Sequence, residues 1–349
     1  MAVGVAQAPK KLNVNNPKII FLLIISKTNL THFILQLKVV CKAFILKPIK
    51  LNLKLNSKNK CTIRPEMVRI FPLIFILLWS SAFITTKPII DNSDPFTALA
   101  FRFFFVAFGF YLYSIYSKHS IFVKRNNLVE AVFSGVLFHG LYLGGVFYSI
   151  SIGMPAGIAA LIVTLQPILT NILSGPILGE DVTLKQWIGV LLGFIGATLV
   201  LGFDIGSGIP FYGLVATIIS LLSITSSTIW QKKLSNKLPL SVSNFYQAIG
   251  GCLFHILIII FFVDPYINFN ETFLIAMSHQ IFLVSFGAFT ILMFLIKKNS
   301  ASKTVSIFFL IPPISAMMAW FFLNESLTNI DLYGFFIATV GVYIATRKN

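Results

Sequence analysis

Two apolar runs, 156–178 and 184–202, meet at a polar corner made of Glu180, Asp181 and Thr183. Each run approaches the roughly 20 residues that a helix needs to cross a hydrocarbon core. The corner recurs near the C-terminus in FFLNESLTNIDLYGFFIATVGVYIAT. Pro167 falls on Pro312, Leu178 on Leu323, Glu180 on Glu325, Thr183 on Thr328, Gly189 on Gly334 and Gly196 on Gly341, always 145 positions apart. A chain of this kind is a duplicated membrane protein.

The rest of the sequence supports that reading. Charged residues make up 11% of the chain, against about a quarter in soluble domains. Ten apolar segments can be marked, at 70–90, 95–117, 128–150, 156–178, 184–202, 210–231, 243–263, 275–296, 303–323 and 330–346. Inside the bilayer the backbone has no water to bond, so runs of this length are helices. The expected fold is an all-α polytopic membrane protein of ten transmembrane helices, arranged as two inverted five-helix repeats over residues 67–202 and 203–349.

The net charge of +16 suggests nucleic acid only until its position is considered. Thirteen of the 27 basic residues lie in the first 69 positions, and most of the others sit in short loops, where they report topology. No nucleic-acid partner is expected; the partners are the lipid bilayer and a small-molecule substrate. Residues 1–66 form a basic, low-complexity extension, read as a tail, a targeting segment or sequence upstream of a start at Met67. Cys41, Cys61 and Cys252 show no CxxC or Cys/His spacing, so neither a disulfide framework nor a metal site is expected.

Lys and Arg fix the expected orientation. With the N-terminus in the cytoplasm, the inner loops carry Lys118, Lys124, Arg125, Lys185, Lys232, Lys233, Lys237, Lys297, Lys298 and Lys303, and the outer loops carry mainly acids. Both termini are then cytoplasmic. Five helices per repeat is an odd number, so the second repeat enters the membrane the other way round. Inverted repeats are a secondary-transporter architecture, with the substrate held near the midplane between the halves.

The motifs LGEDVTLKQWIGVLLGFIGATLVL and LNESLTNIDLYGFFIATVGVYI, with LLWSSAFITTKPI, PFTALAFRFFFVAF and GMPAGIAALIVTLQPILT, carry a family resemblance. From Met67 to the C-terminus the chain resembles the EamA family of the drug/metabolite transporter superfamily. The resemblance implies a ten-helix transporter of the bacterial inner membrane that exports or exchanges small polar metabolites, amino acids and related compounds.

Candidate site residues follow from polarity at membrane depth, where it is costly and defaults to function. They are Trp79, Ser80 and Ser81 in the first helix, Arg102 in the second, His139 and Tyr142 in the third and Gln166 in the fourth. His255 in the seventh is read as structural. Arg102 can hold a substrate carboxylate bidentately, snorkel outward, or pair with Asp94; its repeat partner is Gln247. Pro167 and Pro312 break helices at matching positions. Glu180 and Glu325 either cap the helix that follows them or gate the two faces. Gly140 and Gly144, and the stripes Gly189, Gly193, Gly196 and Gly334, Ala338, Gly341, are packing signals, within the bundle or in a homodimer.

No GxxxxGK[ST], HExxH or GxSxG occurs, and no Asp or Glu sits at the centre of a span. No cofactor, ATP-driven pumping or catalysis is therefore expected. The reading is a secondary transporter working by alternating access. Its rivals are a non-transporting sensor or assembly subunit and a membrane-embedded enzyme.

Overall fold

A computed structural model of the chain describes residues 65–154, 156–201, 209–323 and 328–347. The extension before residue 65 and Glu325 lie outside the described residues. The main body is Ile63–Met318 with Ser326–Asn349; of the second unit, Met1–Thr62 with Ala319–Glu325, the described residues include the end of one helix.

Among the described residues ten helices are long and apolar enough to span a bilayer. They are α1 (Pro65–Ile90), α2 (Pro95–Tyr116), α3 (Arg125–Ser151), α4 (Ala156–Val163 and Gln166–Leu178), α5 (Leu184–Leu201), α6 (Phe211–Leu234), α7 (Leu240–Phe262), α8 (Glu271–Lys298), α9 (Ala301–Ser306 continuing to Leu323) and α10 (Asn329–Thr346). They coincide with the ten apolar segments, though several extend past the apolar run because polar caps start them outside it. Asp94 accepts from Thr97 N at 2.7 Å, Asn270 from Phe273 N at 2.8 Å and Ser300 from Lys303 N at 3.3 Å. Thr183 with Gln186, and Thr328 with Asp331, close equivalent boxes at α5 and α10, 145 positions apart.

Let α1 begin on the near face and end on the far face. Each crossing reverses direction, so α6 starts from the far face and the second repeat is inverted. The repeats interlock. α2 packs along α7, α1 against α8, and α6 against α3 and α4, so each inner helix finds its neighbour in the other half. Phe104, Phe108, Phe262 and Phe336 are more than half exposed and face lipid.

The largest helix–helix contact joins α5 to α10. Here the small-residue stripes meet each other inside the chain. A Cβ on Gly341 would sit 2.3 Å from Gly193 N and 2.7 Å from Gly189 O, and one on Gly196 2.3 Å from Ala338 N. Backbone cannot give way as a side-chain tip does. Gly341→Val should therefore lower thermal stability in detergent by about 1–3 kcal/mol. Gly175→Ala, where the nearest atom is an ordinary 3.6 Å away, should leave the melting temperature unchanged or raise it.

Candidate functional site

Four inner helices are interrupted, in repeat-matched pairs. α3 passes through a π-helical stretch at Val136–Tyr142 and α8 through one at Gln280–Ala288. The 145-residue offset carries Val136 onto Ile281 and Tyr142 onto Gly287, inside the second stretch. α4 breaks at Thr164–Leu165, just before Pro167, and α9 tightens to a 3-10 turn at Ile307–Leu310, just before Pro312. Such irregularities leave carbonyls that their own helix does not bond, and in a bilayer these need partners from elsewhere.

Several of those partners come from the opposite repeat, and α8 supplies one of its own. Ser80 Oγ donates to Ile311 O at 3.2 Å, and Ser315 Oγ returns a bond to Ser80 O at 3.3 Å. His255 Nε2 lies 3.0 Å from His139 O. A carbonyl only accepts, so Nε2 carries the proton. Ser285 Oγ donates to Gln280 O at 3.0 Å and accepts from Arg102 Nε at 2.9 Å. Thus α7 supports the π-helical stretch of α3, α2 supports that of α8, and α1 is clasped to α9.

Two side-chain lattices extend from these points. Toward the far face, Ser81 Oγ and Thr85 Oγ1 lie 3.0 Å and 3.3 Å from the ring nitrogens of His279, and Gln280 Nε2 donates to Thr85 Oγ1 at 2.9 Å and to Ala82 O at 3.0 Å. Arg102 joins through Ser285. Toward the near face, Gln231 Nε2 donates to Gln247 Oε1 at 3.1 Å and to Ser227 Oγ at 3.0 Å, and Gln247 Nε2 donates to Ser243 Oγ at 3.0 Å. Ser227 in turn donates to Ser134 O at 3.1 Å. The offset of 145 relates Thr86 to Gln231, Arg102 to Gln247 and Ser134 to His279. The lattices therefore share three repeat-related positions, while Ser81, Thr85, Gln280 and Ser285 fall on Ser226, Trp230, Gly135 and Gly140; one lattice is cationic and the other neutral.

Arg102 is 4% exposed, which rules out snorkelling. Asp94 is committed to Thr97, through its N at 2.7 Å and its Oγ1 at 2.8 Å. Ion pairs among the described residues join Lys87 to Asp91 and Lys237 to Glu130, at the loops, so no described carboxylate pairs with Arg102. Its guanidinium lies 5.3 Å from the Phe103 ring. A buried cation so placed is costly without a counter-ion.

The remaining candidates are distributed around the centre. Trp79 and Tyr142 are buried in an aromatic cluster, Trp79 being 6.0 Å from Phe308 and 6.1 Å from Phe138, and Tyr142 5.3 Å from Phe138. His139 lies between Phe103 at 4.4 Å and Phe289 at 4.5 Å. Gln166 Nε2 donates to Thr228 Oγ1 of α6 at 3.0 Å.

Glu180 does not cap the helix that follows it, where Thr183 and Gln186 already satisfy the ends. Its carboxylate reaches the other repeat and accepts from Ala301 N at 2.7 Å, Ser302 N at 3.2 Å and Ser302 Oγ at 3.0 Å, at the start of α9. Beside it the α4–α9 interval is shut. Residues 301–313 of α9 are buried except Lys303 and Leu310, which are half-buried. Toward the far face α9 loosens: residues 314–316 are half-buried and Met317 is exposed, whereas α4 is partly exposed along both halves, with Ile158 and residues 160–163 half-buried on the far side and Ile172, Pro176 and Ile177 exposed on the near side.

Reading polarity span by span misses His279, Gln280, Ser285, Thr85, Thr170 and Asn171. The repeat offset is a usable signal for His279, since applied to Ser134 it leads there.

A family model described as the EamA-like transporter family matches residues 68–202 and again residues 211–347. The chain belongs to this family, and is a transporter rather than an enzyme. It is 26% identical over 288 residues to the uncharacterized transporter YvbV of Bacillus subtilis, covering 78% of this chain and 90% of that protein. It is 21% identical over 294 residues to a probable amino-acid metabolite efflux pump of Escherichia coli, covering 79% and 93%. A crystal structure with 17% sequence identity superposes with a TM-score of 0.67, covering 80% of this chain and 97% of that one, which shows the fold alone.

The geometry around Arg102 separates charge from scaffold. Ser285→Ala leaves Arg102 Nε and Gln280 O without their common partner and should cost about 1–3 kcal/mol. Arg102→Met removes an unpaired buried charge and should leave thermal stability unchanged or higher. Thermal unfolding of both purified variants checks this; an equal loss in Arg102→Met would mean that the charge is compensated.

Proposed function

We propose that this member of the EamA-like family is a secondary carrier of the inner membrane that exports or exchanges a small polar metabolite or amino-acid-like compound by alternating access. The observation that carries the reading is the α4–α9 interval, buried along 301–313 and half-buried to exposed along 314–317. A carrier needs such an interval, closed on one face and loose on the other, at helices broken at repeat-related positions. The repeat-matched interruptions of α3 with α8 and of α4 with α9 support it, because an exchange of roles between the two halves would give the opposite-facing state. The name of the Escherichia coli relative agrees with an amino-acid-like cargo.

In this reading Arg102 holds the carboxylate of the cargo, the counter-ion that no described side chain supplies. Trp79 and Tyr142 form an apolar wall, and Gln166 offers an amide. Ser81 belongs to the far lattice that positions Arg102, and Ser80 and His139 hold the broken helices in register. Glu180 is the gate of the near face, and Glu325 its counterpart on the far face. In this reading the near face is cytoplasmic and carries both termini, which the Lys and Arg of its loops support.

Counterflow in proteoliposomes with a panel of labelled amino acids and related metabolites tests this. Arg102→Gln should lower uptake of the accepted compound by about 10- to 100-fold, corresponding to the loss of roughly 1.5–3 kcal/mol for a charged hydrogen bond. Arg102→Lys should retain part of it. Uptake unchanged in Arg102→Gln removes the carboxylate role, and no counterflow for any compound by folded protein removes the carrier reading.

A further inference from the structure

The second segment of α4, Gln166–Leu178, buries Gln166, Pro167, Thr170, Asn171 and Ser174 on one side, while Ile172 is 51% exposed on the other. The spacing 166, 170, 171, 174 is a single helical stripe, and the segment packs against α6 and the start of α9. Along this stripe Gln166 Oε1, Thr170 Oγ1, and both Oδ1 and Nδ2 of Asn171 have no hydrogen-bond partner among the described residues. Gln166 and Thr170 are 0% exposed and Asn171 3%.

Polar groups left so in a bilayer interior are a liability that Leu or Val would remove. Their retention makes physical sense if another state of the protein wets them. The near end of the stripe shows what keeps them dry. Ser302 Oγ donates to Glu180 and so accepts from Ser174 Oγ at 2.8 Å, tying the end of α4 to the start of α9 through the three bonds that Glu180 receives.

We infer that Gln166, Thr170 and Asn171 line the near-face half of the permeation path and bind uncharged hydrogen-bonding groups of the cargo there, hydroxyl or amide, once Glu180 releases α9. The chemistry of the stripe sets that class. It presents two amides and a hydroxyl, and no Lys, Arg, Asp or Glu lies on it before Glu180. It is thus the neutral counterpart of the cationic site around Arg102. The inference rests on the alternating-access reading and adds a second binding region, on helices that do not carry Arg102.

The test uses the full chain with Cys41, Cys61 and Cys252 replaced by Ala, carrying single cysteines Thr170→Cys, Asn171→Cys, Ile172→Cys or Val163→Cys. Each is reacted with a small water-soluble methanethiosulfonate, with Glu180 intact and as Glu180→Ala. Reaction at positions 170 and 171 should rise by about tenfold or more on Glu180→Ala, as expected for a shift of that size in the open population. Ile172→Cys, facing lipid, should not change, and Val163→Cys on the far half should slow. If Val163→Cys slows while 170 and 171 stay unreactive, the inference fails and alternating access stands. If none of the four responds, both fail. A second measurement does not depend on the gate variant folding. Thr170→Val and Asn171→Leu should hold or raise the melting temperature while lowering counterflow, whereas a drop in melting temperature would show that these groups serve the sealed state and would overturn the inference.

Discussion

Every backbone carbonyl inside a bilayer needs a donor, and this fold breaks four of its inner helices, so it must find donors that those helices do not supply. The described structure meets the need across the repeat boundary. Ser80 of α1 answers Ile311 of α9, His255 of α7 answers His139 of α3, and Arg102 of α2 joins the bond by which Ser285 answers Gln280 in α8. Other groups are met within their own helix, as Gln280 is by Ser285 and Ala160 by Thr164. The two halves therefore lean on each other at several of their interruptions.

Inversion puts a polar lattice on each side of the centre but does not copy one into the other. The far-face lattice of Ser81, Thr85, His279, Gln280, Ser285 and Arg102 meets the near-side lattice of Ser227, Gln231, Ser134, Ser243 and Gln247 at the repeat-related pairs Arg102 with Gln247 and His279 with Ser134. Only the first contains a permanent cation. The two halves share some polar positions and differ at most others, so the two faces have different electrostatics. A carrier with one cationic and one neutral vestibule has a built-in difference between its two openings.

The packing is unequal in the same sense. The near half of the α4–α9 interval is bolted by Glu180 onto two backbone amides and a hydroxyl, and behind that bolt lie amides and a hydroxyl with nothing to bond. The far half lacks comparable burial. Satisfied groups at the seal and unsatisfied groups behind it support the proposed gate over a polar path.

How much of this was legible from the chain can be traced to particular residues. Hydropathy alone gives ten spans, because burial in lipid is a property of each segment taken by itself. The corner shared by Glu180 and Glu325 gives the duplication, and an odd helix count with the loop lysines gives the inversion. The small-residue stripes of α5 and α10 are visible too, but that they meet each other is decided by three-dimensional packing. The same holds for the site. Arg102, Gln166 and the prolines stand out as polar or helix-breaking residues in apolar runs. The π-helical stretches do not, since Val136–Tyr142 and Gln280–Ala288 have no local composition that distinguishes them from α-helix. Sequence reading likewise leaves Glu180 between capping the helix that follows it and gating its face, while the structure gives its carboxylate to Ala301 and Ser302. The sequence by itself determined what must lie in the membrane, because transfer into hydrocarbon is additive along the chain; the tertiary structure alone decided which polar atoms face one another, because that depends on different helices, some as far apart in the chain as those of Ser80 and Ile311, arriving side by side.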